Sequence, residues 1–120
     1  MKLPIFIAMG SLVATLSTGA LAAPVKAPAA YGACAACHAP AGGHGIGPSL
    51  TGVLGRKAGT LAGFRYSRAM RESGIKWNAK SLDRYIANPQ KVVPGNRMPF
   101  AGLKDAAQRA AVVRYLSTLR

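Results

Sequence analysis

Acidic side chains are the scarcest chemistry in this chain. Glu72, Asp83 and Asp105 stand against 16 lysines and arginines, for a formal net charge of +13 over 120 residues. An imbalance of this sign narrows the partners to nucleic acid, an anionic membrane surface or an acidic protein. No nucleic-acid-binding motif is present, so that partner is not expected. Cysteine and histidine each occur twice, as Cys34, Cys37, His38 and His44. A zinc site would have to draw all four ligands from residues 34 to 44, which is cramped. A thioredoxin-type pair would need a strand–helix–strand setting that the sequence around Cys34 lacks. Large aromatics are few: Tyr31, Phe64, Tyr66, Trp77, Tyr85, Phe100 and Tyr115 after residue 22. That is a thin core for one small domain rich in glycine and proline, and neither a repeat nor a second domain is visible.

What is present begins with an export signal. Lys2 is a lone positive residue ahead of the mostly apolar Leu3 to Ala14, and Ala20-Leu21-Ala22 forms an A-x-A cleavage site. Residues 1–22 read as a cleaved secretory signal peptide, removed after about Ala22. Gly10, Ser11, Thr15, Ser17, Thr18 and Gly19 make the alternative, a retained membrane anchor, a weak one. The signal is of bacterial type and directs the chain to the periplasm. Residues 23–30 read as a short tether and 31–120 as one domain.

The domain opens on Cys34-Ala35-Ala36-Cys37-His38, a C-x-x-C-H attachment site for a c-type haem. Two cysteines three apart lie on one side of a helical turn, so both sulfurs reach one edge of a porphyrin. His38 follows directly and is the candidate ligand on one face of the iron. A buried haem would supply the apolar body that the thin core lacks, and the haem-free chain is expected to be largely unfolded. The other axial position decides between carrying electrons and binding small ligands. His44 is tethered too close to His38 to reach across the ring. Of the methionines after residue 22, Met70 falls inside a helix, where a thioether packs. Met98 lies in Pro94-Gly95-Asn96-Arg97-Met98-Pro99-Phe100, which proline and glycine hold out of helix, and is the candidate second ligand.

Local signals place the elements. A first helix should carry Tyr31 and end around the haem motif, with Pro28 acceptable in its first turn. Residues 39–63 read as a long irregular loop wrapped around one edge of the haem. Ser67 caps a short helix ending about Ser73 before Gly74. Asn78 caps a helix over Ala79–Ala87, which must stop before Asn88-Pro89 and buries Leu82, Tyr85 and Ile86. Asp105 caps a last helix from about Ala106 to Leu119, with Gln108 in a variant capping box. Its apolar stripe through Ala106, Ala110, Val113 and Leu116 reads as ordinary core.

The chain resembles the class I cytochromes c, of the soluble bacterial kind close to the mitochondrial protein. The resemblance covers nearly everything after Ala30. It rests on Cys34–His38, Gly47-Pro48, Gly52 to Gly59, Phe64-Arg65-Tyr66, Gly74 to Trp77, Tyr85 to Pro89, Pro94 to Gly102 and Tyr115-Leu116. It implies an all-α fold of helices and irregular loops around one haem c, covalently bound through Cys34 and Cys37, with His38 and Met98 on the iron. It implies that the Pro48 carbonyl accepts from His38 Nδ1 and that the Tyr85 hydroxyl approaches the methionine sulfur. Arg56, Tyr66 and Trp77 match donors to the haem propionates, Phe100 matches a cover over the haem edge, and His44 matches a histidine that pins its loop. Tyr31 should meet Tyr115 or Leu116. The pattern is broken at Ala27-Pro28, where a glycine is usual, and at Ala33, where a haem-edge lysine is missing. Met70 replaces an asparagine, and Asn96 replaces a threonine in the ligand loop.

The resemblance further implies an electron carrier rather than an enzyme, a monomer shuttling single electrons between acidic redox partners. Quinol-oxidising complexes, terminal oxidases, reaction centres and dehydrogenases are all candidates, with transient membrane-surface contact allowed by the charge. Docking is expected at an apolar rim around Ala33 and Ala36, ringed by Lys57, Lys91, Arg97 and Lys104. Two other readings stay open at this point. One is a haem peroxidase or gas sensor with a labile Met98; the other is a cytochrome subunit of a dehydrogenase or oxidase complex.

Overall fold

The computed structural model describes residue 14 and residues 19–39 and 43–120; most of the signal peptide expected over 1–22 lies outside them. Residues 19–27 are exposed and form no regular element. The chain begins to turn inside the stretch read as a tether. A 3-10 turn covers Ala29–Tyr31, with the Tyr31 amide donating to the Pro28 carbonyl at 2.9 Å. Helix α1 follows over Gly32–Ala35 and ends one residue before the turn that carries Cys37. This is shorter than a full amphipathic helix, because no side chain caps its start and Pro28 can donate nothing to it.

The region read as irregular loop holds no helix among its described residues. Its order comes from backbone bonds to residues 75–77. Gly55 N donates to the Trp77 carbonyl at 2.7 Å, Trp77 N to Arg56 at 2.9 Å and Ala58 N to Ile75 at 2.8 Å. The pairing produces one isolated antiparallel bridge, Lys57 to Lys76. It buries Val53, Ala58 and Trp77 on its inner side.

Helix α2 spans Arg68–Glu72, and the Ser67 hydroxyl accepts from the Met70 amide at 3.1 Å, as an N-cap should. Gly74 then leaves the helix at φ +68°, a left-handed conformation that side chains resist. Helix α3 spans Ala79–Ala87 behind a reciprocal capping box, in which Asn78 and Ser81 exchange two 2.9 Å bonds. Its buried face is Leu82, Tyr85 and Ile86, with Ser81.

Two elements differ from the sequence reading. Asn88-Pro89 ends α3 as expected but also starts helix α4, Pro89–Val92, with Asn88 Oδ1 accepting from Lys91 N at 3.1 Å. Proline at a first helical position gives up no hydrogen bond, so the same dipeptide serves as stop and start. Helix α5 spans Ala106–Leu116, three residues short of the expected end at Leu119. The Ser117 and Thr118 hydroxyls turn back onto the Arg114 and Tyr115 carbonyls at 2.6 and 2.7 Å, and the Leu119 carbonyl accepts from Gly52 N instead. Those bonds compete with further helix.

Helix α5 packs on α3 and on the first turn. Tyr31 meets Tyr115 edge-on, with ring centroids 4.7 Å apart. Arg109 clamps the far side, donating to Asp83 Oδ1 at 2.9 Å and to the Leu103 and Lys104 carbonyls at 3.0 and 2.8 Å. Among the described residues no helix is long and apolar enough to cross a membrane.

Candidate functional site

The helices and loops enclose a cavity of about 350 Å³ between them. Cys34 and Cys37 come to its wall from α1 and the turn after it, and His38 comes with them, 8% exposed. From the irregular loop come Pro48, Leu50, Val53 and Arg56; from the segment before α2, Phe64, Arg65 and Tyr66. Trp77, Leu82, Tyr85 and Ile86 line it from α3 and its approach, and Met98, Pro99 and Phe100 from the loop before α5. Every residue expected to hold the haem or its iron therefore borders the same space.

His38 is held by the backbone opposite it. Its Nδ1 lies 2.6 Å from the Pro48 carbonyl, which can only accept, so Nδ1 carries the proton and Nε2 keeps a free lone pair. Gly47 is the other half of this seat. A Cβ there would stand 2.6 Å from His38 Cε1, so only glycine lets the ring lie against the backbone. On Met98, the Tyr85 hydroxyl approaches Sδ at 3.9 Å. Burial pushes the Tyr85 phenol up to about 12, so the hydroxyl keeps its proton and stays a donor. Burial also pushes the Cys34 thiol up, which holds that sulfur in its neutral form.

Other residues reach the cavity with their polar ends partly engaged. The Arg56 guanidinium donates to the Ser49 carbonyl at 2.9 Å and to Thr51 at 3.2 Å. It also opposes the rise of the Tyr66 phenol, which burial pushes up. Phe64 and Tyr66 pack edge-on at 4.8 Å, and Trp77 and Tyr85 tilt against each other at 5.1 Å. His44 is occupied elsewhere: Nε2 lies 3.0 Å from the Ala62 carbonyl and Nδ1 accepts from Ser49 N at 3.2 Å. It pins the loop, as the resemblance implies. No group of three or more His, Cys, Asp or Glu that could hold a metal ion gathers among the described residues.

The sequence reading missed part of the wall. Arg65, Phe64, Ile46, Leu50 and Val53 were not named as site residues, and Leu116 was read as plain core. Phe64-Arg65-Tyr66 puts an arginine between two aromatics, a pattern that a surface carries as well. Met70 lines the cavity too, although it sits in α2 as expected.

This donor set fits a covalently attached haem. The wall is apolar, one edge carries two thiols at C-x-x-C spacing, and an imidazole with a free Nε2 follows them. A thioether stands in the loop before α5. Arg56, Arg65 and Arg97 border the cavity, and no carboxylate does, which suits the two propionates of a haem.

Fold and site together define a mono-haem electron-transfer protein, and the comparisons agree. The cytochrome c family model matches residues 24–120. Cytochrome c2 iso-2 of Magnetospirillum fulvum is 55% identical over 94 residues, covering 78% of this chain and 98% of that protein. Cytochrome c2 of Rhodomicrobium vannielii is 43% identical over 110 residues, covering 90% and 88%. Among solved structures, cytochrome cH from Methylobacterium extorquens superposes with a TM-score of 0.71 at 39% identity, covering 74% of this chain and 91% of that one. The chain belongs to the cytochrome c family. It carries one haem c, attached through Cys34 and Cys37, and it is an electron carrier, not an enzyme.

Proposed function

We propose that the chain is a periplasmic carrier of single electrons in which His38 and Met98 are the axial ligands of the iron. The observation that carries the reading is the His38 seat: Nδ1 held 2.6 Å from the Pro48 carbonyl leaves Nε2 as the donor, beside a cavity that Met98 also lines. Haem c supplies a one-electron ferric–ferrous couple. Both ligands are neutral, so they favour the lower iron charge and raise the potential. Pro48 makes the imidazole a stronger donor, and the Tyr85 hydroxyl beside Sδ moderates the thioether. Arg56, Tyr66 and Trp77 hold the propionate side, and Phe100 covers the edge beside Met98.

The leader over 1–22 supports the periplasm. The charge supports partners with acidic docking faces, met at an apolar rim around Ala33 and Ala36 that Lys57, Lys91, Arg97 and Lys104 would ring. Such redox encounters are small and brief.

Optical spectra in both redox states test the ligand assignment. The oxidised protein should show the weak near-infrared band of a thioether on ferric iron, and Met98→Ala should abolish it. Its absence from the native oxidised protein would overturn the assignment. Carbon monoxide binding by the native reduced protein would point instead to the gas-binding reading.

A further inference from the structure

The Met98 loop contains a side-chain network that the haem chemistry does not require. Asn96 is buried at 7% exposure, two residues before Met98. Its Oδ1 accepts from the Met98 amide at 2.9 Å, and its Nδ2 donates to the Val93 carbonyl at 2.9 Å. The Val93 carbonyl also takes the Asn96 amide at 3.1 Å, so one oxygen anchors both ends of the residue. Gln90, on the exposed side of α4, closes the loop from outside. Its Nε2 donates to the Asn96 carbonyl at 3.0 Å, and its Oε1 accepts from Gly95 N at 3.4 Å.

Helix α4 is thereby tied to the loop on both sides of the turn at Gly95, whose φ of +85° reverses the chain. A threonine at 96 would have to serve the Met98 amide and the Val93 carbonyl from one hydroxyl oxygen, whereas a side-chain amide has a separate acceptor and donor. Asn96 supplies both. Gln90 then holds the Asn96 backbone from the outer side of the loop.

We infer that Gln90 and Asn96 are positioning residues that hold Met98 in place for iron ligation. The inference rests on Met98 being the ligand. Detaching the sulfur requires the loop to open, and opening breaks these bonds. Removing either side chain should shift the loop toward its detached form roughly tenfold, the scale of one or two net hydrogen bonds.

The test uses the haem-loaded protein and two readouts. The oxidised form is titrated with base while the near-infrared band is followed, and exchange of the Met98 amide is measured separately. Gln90→Leu and Asn96→Ala should each lower the pH midpoint of band loss by about one unit and speed Met98 amide exchange about tenfold. Asn96→Thr, whose hydroxyl still accepts from Met98 N, should stay closer to the native midpoint than Asn96→Ala. Unchanged midpoint and exchange in Gln90→Leu overturn the inference; this variant sits on the surface and keeps the test open if Asn96→Ala fails to fold. A native protein with no near-infrared band overturns the ligand assignment itself. In that case, exchange of the Met98 amide still decides whether the clamp exists.

Discussion

Tyr85 carries the clearest residue-scale consequence. Its phenol is buried and pushed up to about 12, while the same group in an unfolded chain titrates near 10. Between those values the unfolded chain loses a proton that the folded one keeps. Stability is therefore fully present below pH 10 and falls as pH rises toward 12, by about 2–3 kcal/mol in all. Tyr85→Phe should flatten that alkaline limb in denaturant titrations at pH 9 to 11. A limb that stays as steep would show that another group is responsible. Much of the site was legible at this scale because each role has its own chemistry: two thiols at fixed spacing, an imidazole beside them, a methionine in a segment where proline forbids helix. Arg65 and Val53 were not legible. An arginine between aromatics and a valine after a glycine look the same whether they line a cavity or a surface, and only the folded loop decides. The tie from Gln90 was hidden for a related reason, since glutamine is exposed and carries no signature of what it grips.

Elements repeat the lesson in a different form. Ser67, Asn78 and Asp105 were readable as caps because an N-cap bond is made within four residues. Helix α4 was not, because Asn88-Pro89 was read only as a terminator. The end of α5 was set by Gly52, a residue from another part of the chain, and no local pattern contains that. The clamp between α3 and α5 is likewise long-range. Arg109 is mostly buried, with its side chain 14% exposed, and it bonds Asp83 and two loop carbonyls at once. Arg109→Met should lower unfolding free energy by about 2 kcal/mol, because it removes charge-assisted bonds and leaves the loop carbonyls unpaired. The exposed pair Arg68–Glu72 offers the contrast, and Arg68→Ala should cost under about 0.5 kcal/mol. Chemical denaturation of both variants checks the difference, and equal losses would count against the clamp.

At the scale of the whole molecule, charge and cavity dominate. All three acidic side chains are engaged locally: Glu72 with Arg68, Asp83 with Arg109, and Asp105 as the cap of α5. None is left to offset the positive field around the site. Association with an acidic redox partner should slow steeply as ionic strength rises, and rates that stay flat would argue against steering. The cavity makes the second prediction. Leu82, Ile86 and Leu116 belong to the core and also face the space reserved for the haem. A chain with both Cys34 and Cys37 changed to alanine, prepared without haem, should show little helical circular dichroism and no cooperative thermal transition. A sharp transition would mean that the polypeptide core suffices alone. The fold class was legible at this scale because the motif implied a body to wrap around, whereas the cavity's full outline depended on loops whose path no periodicity records.

The edge-on contact between Tyr31 and Tyr115 joins the segment just before the cysteines to a helix that leaves the ribosome much later. Until α5 has been made, the first turn has nothing to close against, so the N-terminal part of the domain cannot finish folding early in synthesis. That delay keeps the nascent N-terminal segment loose. It also leaves Cys34 and Cys37 open to the machinery that joins them to haem. The order in which the chain is written thus schedules its maturation: attachment first, closure last.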